Sequence, residues 1–252
     1  AIITNNEHKY KQSFHTPFMQ NPLVRDFGFK GLTTAAQYVL AGCYTPSDPI
    51  DPYVRDIIQE WKMPQSVKDL GPQSMEISVQ DYQKFWKKAK ENTSCYPDNL
   101  SFSTMKAGAS SPLIAEIECR LTNIPLKSGY ATDRWKKCLD VMILKKSGNT
   151  LLNALRTIVL FPVDCNYAFK HIGREMMRLG EQSTSLAPEQ YGSRNQHRAI
   201  DLAVNKVLTN DLLRQLKRPG AICCNDAKSC YDLIGHSQAS ISMQRLGVPK
   251  HA

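Results

Sequence analysis

A short apolar run towards the end of the printed sequence is followed by an acidic residue. Residues 221–224 are compatible with a buried strand, and Asp226 comes where burial should stop. A carboxylate at this place can hold Mg²⁺, which bridges phosphate oxygens and activates an attacking hydroxyl. Tyr231 and Asp232 follow closely. The stretch predicts metal-assisted chemistry on phosphate, with a cap or turn role for Asp226 as the alternative.

Basic residues upstream are predicted to lie on a β-hairpin. Residues 138–144 and 155–161 have strand character, and a basic turn with Gly148 and Asn149 joins them. This arrangement places Lys145 and Lys146 at the tip and Arg156 at the start of the return strand. Because Lys and Arg neutralise phosphate charge, the hairpin and Asp226 together could handle a nucleoside triphosphate.

Helical segments surround these residues. Helical patterns are predicted at about residues 33–41, 51–61, 78–91, 110–123, 166–179 and 198–216, and residues 1–30 are expected to form a loosely ordered lead-in. The helix at 110–123 carries Leu113, Ile114, Ile117 and Leu121 on one face. The helix at 78–91 presents four lysines, Lys84, Lys87, Lys88 and Lys90, opposite its apolar residues. A solvated basic face and a phosphate-tracking surface both remain open for it.

Composition narrows the class of protein. The 252 residues carry a formal net charge of +9 with a pI near 9.1, which favours polyanionic partners, and 42% hydrophobic residues suit a packed core. The scattered cysteines include no Cys-x-x-Cys pair and are expected to be reduced. No leader or membrane-spanning run is evident, so we expect an intracellular protein of the cytoplasm or nucleus, not a secreted one.

Other kinds of site have less support. The histidines at 171, 197 and 236 lack the spacing of zinc ligands, and Ser193 does not lie in a Gly-x-Ser-x-Gly elbow. There is also no phosphate-binding loop of the Gly-x-x-x-x-Gly-Lys type. Asp232 is expected to cap a helix starting near Gly235 or to pair with a cation of the hairpin region.

Three motifs, in order, resemble those of reverse transcriptases of the non-LTR retrotransposon type. The run Asp226-Ala-Lys-Ser-Cys-Tyr231-Asp232 resembles their first catalytic palm motif, in which an aromatic residue follows the Asp by five positions. The two strand segments, with Lys145 or Lys146 and Arg156, look like the fingers motifs. Glu189-Gln-Tyr-Gly-Ser-Arg194 resembles the Gln-x-Gly-x-Arg element that precedes the palm. The resemblance covers about residues 78–250.

The resemblance implies a role for each matched residue. Asp226 and the backbone carbonyl of Ala227 would be ligands of the two catalytic Mg²⁺ ions, and Tyr231 would lie beneath the sugar and exclude a 2′-hydroxyl. Arg156 and either Lys145 or Lys146 would hold the triphosphate of a deoxynucleotide. The implied partners also include an RNA template and a DNA primer, near which Gln190 and Arg194 would lie.

The sequence departs from the family's pattern at the second palm motif. No Asp-Asp pair occurs in the chain, and no acidic residue follows Asp232. We therefore expect a fragment that would be inactive alone, with the rest of the palm and the thumb elsewhere in the same open reading frame. The expected fold is α+β, with helix-rich fingers, a β-hairpin and an incomplete palm. The expected division is an extension of unknown role (1–75), a fingers-like region (76–219) and the start of the palm (220–252).

Two other functions remain open at this point. One is a catalytically inactive, nucleic-acid-binding remnant of a retroelement, whose basic surface persists without polymerase activity. The other is a basic structural protein with chance motif matches. Both the polymerase fragment and the nucleic-acid-binding remnant would contact phosphates, whereas the structural protein would not. A steep loss of nucleic-acid affinity with salt would therefore favour one of the first two functions.

Overall fold

The chain has a helix-rich α+β fold in which the described strands form a two-stranded antiparallel sheet. This computed structural model is described over residues 11–221 and 230–252, together with Thr4, Glu7 and His8. The elements are α1 (Leu23–Phe27), α2 (Thr34–Ala41), α3 (Pro52–Gln59), α4 (Gln65–Lys68), α5 (Val79–Lys88), α6 (Phe102–Ala109), α7 (Pro112–Ser128), β1 (Leu139–Leu144), β2 (Leu155–Leu160), α8 (Val163–Gln182), α9 (Ala199–Gln215) and α10 (His236–Arg245). The α+β class predicted from the sequence is confirmed.

Local capping chemistry sets the ends of α2 and α3. The Thr33 hydroxyl accepts a hydrogen bond from the Ala36 amide at 3.2 Å, and α2 ends at Gly42, whose φ of 79° is left-handed. An Asp51 carboxylate oxygen accepts from the Tyr53 amide at 2.8 Å, directly before the first residue of α3. The predicted starts of both helices are therefore confirmed to within a residue.

The prediction of a loose lead-in is wrong for its second half. Leu23 and Phe27 lie one turn apart on α1, and only 1% of each residue is exposed. Both pack in a core with residues of α2 and α3, including Val39 and Ile58. A helix of one turn is too short to show a hydrophobic period, so sequence pattern alone could not identify it.

The C-terminal helix α10 packs against this N-terminal part of the chain. Ile241 is completely buried in the same core, and the Gln244 side-chain amide donates to the Gly31 carbonyl at 3.1 Å. A Cβ on Gly31 would lie 2.7 Å from the Ser237 carbonyl oxygen, so the close approach of α10 depends on this glycine. The division into three regions stays a prediction, although its first and last regions share a hydrophobic core.

A second core joins α5, α6, α7 and α8. Tyr82 and Trp86 of α5 are fully buried, and they pack with Ala115 and Cys119 of α7 and Tyr167 of α8. Because Ala115 and Cys119 are small, the large rings of α5 can approach the backbone of α7 closely. This four-helix cluster is the scaffold to which the β-hairpin is attached.

The face of α7 that carries its four large apolar residues lies at the surface. Its members are all at least 45% exposed: Leu113, Ile114, Ile117 and Leu121. The opposite face, with small and polar residues, is the one that packs on the core. The helix includes Pro125 and ends at Ser128, with Gly129 as its C-cap.

A buried asparagine fastens α7 to the segment before α5. The Asn123 side chain accepts from the Ile77 amide and donates to the Ile77 carbonyl, both at 2.8 Å, and it is 6% exposed. The Cys119 thiol also lies 3.2 Å from that carbonyl oxygen. Asn123 thus supplies hydrogen-bond partners for the amide and the carbonyl of Ile77, which do not belong to a β-sheet. A buried backbone group without a partner would lower the stability of the fold.

Asn123→Leu should lower the free energy of unfolding by about 2 kcal/mol, because the Ile77 amide loses its partner while the volume is nearly kept. Urea unfolding of the variant and the wild type measures this loss. Asn210→Leu on the exposed α9 is the matched control, and we expect a change within about 0.5 kcal/mol for it. Equal stabilities of the two variants would contradict the role of Asn123.

Candidate functional site

The β-hairpin brings its predicted cations together at one end. β1 and β2 match the predicted strands to within one residue, and Ile143 pairs directly with Arg156. Paired residues share a face of a sheet, as do residues two apart on one strand. Lys145 follows Ile143 by two residues. Continuing the strand alternation therefore puts Lys145, and not Lys146, on the same face of the hairpin as Arg156. Lys146 begins the turn, since its carbonyl accepts from the Asn149 amide at 3.3 Å.

The hairpin is anchored at its base and exposed at its tip. At the base, the Phe161 carbonyl accepts from the Tyr96 amide at 2.9 Å and from the Asn166 side chain at 3.1 Å. At the tip, Gly148 has a φ of 80° and the Asn149 carboxamide accepts from the Leu151 amide. Lys145, Lys146 and Arg156 are exposed, and within the described ranges none of them has a carboxylate in ion-pair distance. Their charges are thus available to an anionic ligand.

Arg194 is held by the protein itself. Its guanidinium forms two hydrogen bonds with the Glu181 carboxylate, at 2.7 and 2.9 Å, and lowers the pKa of Glu181. The same side chain donates to the Ala187 carbonyl at 3.0 Å and to the Gln190 carbonyl at 3.3 Å. Arg194 therefore fixes the loop between α8 and α9, whereas Gln190 is exposed. Contact of either residue with nucleic acid stays a prediction.

The predicted palm motif is only partly described. Asp226 and Ala227 lie outside the described residues, so the Mg²⁺ ligands assigned to them stay predictions. Tyr231 lies in a short 3-10 helix, Cys230–Leu233, and is 90% exposed. The prediction that Asp232 caps the next helix is wrong, because Gly235 is the N-cap of α10 and no side chain caps that helix. In the described part of the chain Asp232 has no cation in ion-pair distance either.

A basic groove of about 860 Å³ lies between α5 and α8, and we call it the α5–α8 groove. Its cations come from both helices and from the residues after α5: Lys84, Lys88, Lys90, Lys170 and Arg174. The sequence predicted the basic face of α5 and the helix at 166–179 separately. The pairing of the two helices around a groove requires the tertiary structure, because about 80 residues separate them in the chain.

The charges of the α5–α8 groove are not neutralised by its own acids. Asp81 accepts a hydrogen bond from the Ser78 hydroxyl at 2.7 Å as part of the N-cap of α5. Glu175 forms an ion pair with Arg178 at 2.7 Å. Among the described residues, the five cations of the groove have no carboxylate within ion-pair distance. The groove therefore carries a surplus of positive charge.

Phe85 supports two of these cations. The Lys170 ammonium lies 5.4 Å from the centre of the Phe85 ring, and the Arg174 guanidinium lies 5.7 Å from it. The Tyr167 ring packs against Phe85 with a centroid distance of 4.2 Å. Cations at such distances from an aromatic face are attracted by its quadrupole. The ring thus holds Lys170 and Arg174 in position without neutralising them.

His171 lines the groove and is half-buried, with Nε2 at 3.1 Å from the Met75 carbonyl oxygen. Burial lowers the pKa of His171 from its ordinary value of 6.5, against the opposite effect of nearby Glu175. Below pH 6.5 the unfolded chain therefore binds a proton that the folded chain takes up only at lower pH. The free energy of unfolding falls as the pH falls through this window.

His171→Gln should weaken that pH dependence, since glutamine does not titrate and can still reach the Met75 carbonyl. Urea unfolding above and below pH 6.5 measures the difference for the variant and the wild type. His251→Gln, a change at an exposed histidine, is the control and should keep the wild-type profile. If His171→Gln showed the same loss of stability on acidification as the wild type, His171 would not be the titrating group.

In residues 11–221 and 230–252 there is no group of three His, Cys, Asp or Glu side chains arranged to hold a metal ion. None of the described helices combines the length and apolar character needed to cross a bilayer.

Comparisons with protein-family models, with curated proteins and with solved structures found no match to this chain.

Proposed function

We propose that this chain is part of an RNA-directed DNA polymerase of the reverse-transcriptase type. The observation that carries the proposal is the antiparallel hairpin, whose register pairs Arg156 with Ile143, two residues before Lys145. All three cations of the hairpin are exposed. The order of the motifs along the sequence supports it, with this hairpin first, the Gln190–Arg194 element next and Asp226 with Tyr231 last.

In this proposal the hairpin cations bind the triphosphate of the incoming deoxynucleotide. Lys145 and Arg156 neutralise its charge and orient it for in-line attack by the primer 3′-hydroxyl. The register favours Lys145 over Lys146 for this role, because Lys146 forms the turn. Mg²⁺ held at Asp226 would stabilise charge on the phosphate oxygens and activate the attacking hydroxyl. Tyr231, with its ring exposed, would lie against the sugar.

Arg194 has a positioning role in the proposal. Its contacts with Glu181 and with two loop carbonyls fix the segment that carries Gln190. Gln190 would then be presented to the template or primer by a loop of defined shape. The RNA template, DNA primer and deoxynucleoside triphosphates are the proposed partners, and the other palm carboxylates and the thumb would belong to the same open reading frame.

Lys145→Ala and Arg156→Ala should each raise the KM for deoxynucleotide about tenfold or more, a loss of about 1.4 kcal/mol of binding to the triphosphate. Steady-state primer extension by the polypeptide of the complete open reading frame measures it. Lys146→Ala is the matched control on the same turn, with an expected change of less than about threefold. Unchanged KM and kcat in both Lys145→Ala and Arg156→Ala would contradict the proposed nucleotide site.

A catalytically inactive nucleic-acid-binding protein is the second candidate. The cations of the α5–α8 groove favour it, because they have no carboxylate within ion-pair distance among the described residues and would serve binding whether or not synthesis occurs. The two candidates differ in template-dependent synthesis.

A further inference from the structure

We propose that the α5–α8 groove binds a single strand of nucleic acid through its phosphate backbone. The proposal does not depend on polymerase activity, and it concerns residues that are separate from the hairpin cations, Tyr231 and Asp226. It rests on the shape of the groove, on the arrangement of its cations and on the engagement of its acids elsewhere in the protein.

Four of the five cations of the groove form two short rows of two, one on each helix. Lys84 and Lys88 are one helical turn apart on α5, and Lys170 and Arg174 are one turn apart on α8. Residues four apart on a helix are neighbours on its surface, so each wall of the groove presents charges in sequence along its axis. A compact anion needs donors that converge on one point. A repeating row of charges instead suits a chain that carries one negative charge on each unit.

The size and lining of the groove favour one flexible strand over a duplex. A volume of about 860 Å³ is that of a pocket for a short segment, whereas a duplex offers a rigid convex surface. The groove also includes uncharged polar side chains, Thr93, Ser94 and Asn166, which could form hydrogen bonds with sugars or bases. Because Lys170 and Arg174 lie over Phe85, base stacking on this ring is not part of the proposal.

An acidic peptide is the competing ligand class. Its carboxylates could also pair with lysines, but its charges sit on flexible side chains and are irregularly spaced. The rows of cations, together with the net charge of +9, fit a regular polyanion better. The groove gives no contact that selects one base, so we expect binding with little sequence preference.

The test is the affinity of the 252-residue chain for a labelled single-stranded RNA of mixed sequence, measured by fluorescence anisotropy over a series of salt concentrations. The groove variant combines Lys84→Gln, Lys88→Gln, Lys170→Gln and Arg174→Gln. The matched control variant combines Lys30→Gln, Arg55→Gln, Lys68→Gln and Lys250→Gln, which removes the same number of Lys and Arg from exposed positions outside the groove. Thermal unfolding checks that both variants fold.

We expect the groove variant to lose at least about tenfold in affinity and to reduce the slope of log K against log salt by about 3, as four lost phosphate contacts require. The control variant should stay within about threefold of the wild type. A second groove variant, Lys84→Glu with Lys88→Glu, leaves the residues on Phe85 intact and should lose affinity at least as strongly. If the four-residue groove variant does not fold, the affinity of this second variant tests the proposal.

Three further ligands complete the design: a single-stranded DNA of the same sequence, the corresponding duplex, and an acidic peptide. Single-stranded DNA should bind with a similar dependence on the groove cations. Equal affinity of the groove variant and the control variant would overturn the proposal. It would also be overturned if the duplex bound as tightly as the single strand with the same loss on mutation, or if the peptide displaced RNA from the groove at equal charge concentration.

Discussion

Asp226→Asn should reduce DNA synthesis by more than about 10³-fold in the polypeptide of the complete open reading frame, while binding of the template and primer is kept. The carboxylate is the proposed ligand of Mg²⁺, and asparagine keeps its size but removes its charge. Loss of a charge that stabilises the transition state costs about 4 kcal/mol or more, which corresponds to three decades in rate. Single-turnover primer extension with bound nucleic acid measures the chemical step.

Asp232→Asn is the matched control for this experiment. Asp232 is a nearby acid that is half-buried, and it neither caps α10 nor has an ion-pair partner among the described residues. Its substitution should change the rate by less than about threefold. Near-normal synthesis by Asp226→Asn, or an equal loss in both variants, would contradict the assignment of Asp226 as the metal ligand.

Tyr231→Ala should increase the use of ribonucleotides relative to deoxynucleotides by about 10²-fold, the range in which shape alone discriminates a hydroxyl. The proposed reason is that the ring occupies the space of a 2′-hydroxyl. Because Tyr231 is 90% exposed, the substitution removes little packing, so stability should change by less than about 0.5 kcal/mol. The ratio of kcat/KM for the two nucleotides measures the effect.

Tyr231→Phe and Tyr53→Ala are the controls for the sugar assignment. Phenylalanine keeps the ring and should keep the discrimination. Tyr53→Ala removes another exposed tyrosine, at the start of α3, and should leave the nucleotide preference unchanged. If Tyr231→Ala discriminated as the wild type does, the aromatic residue would not face the sugar.

Elements with strong local signals could be predicted from the sequence. β1 and β2 were predicted to within one residue because their apolar runs flank a turn with Gly148 and Asn149. The start of α3 was predicted from Asp51 before Pro52, a cap followed by a residue suited to the first turn. In these cases neighbouring residues determine the structure, so no knowledge of the tertiary fold is needed.

Features that depend on packing could not be predicted in this way. The face of α7 with the larger apolar residues is exposed, because the small Ala115 and Cys119 admit the rings of α5 on the other side. The burial of Ile241 against the N-terminal helices joins residues from opposite ends of the sequence. Hydrophobic pattern identifies a helix, but it does not say which other element covers it.

The residues of the candidate site could likewise be predicted only in part from the sequence. Lys145 and Arg156 were predicted from the hairpin pattern, and the register then favours Lys145 over Lys146 for the nucleotide. Arg194 was read as a possible contact to nucleic acid, yet its partners are Glu181 and the carbonyls of its own loop. A sequence motif gives the residue types at a site, whereas only the folded chain shows which of them already have protein partners.

Template-directed primer extension decides whether this chain belongs to a polymerase. The polypeptide of the complete open reading frame is incubated with an RNA template of mixed sequence, a DNA primer, deoxynucleotides and Mg²⁺. We expect DNA whose sequence is the complement of the template, with no product when Mg²⁺ is chelated. A folded polypeptide that binds the template and primer but gives no such product would contradict the assignment as a polymerase and leave the nucleic-acid-binding alternative.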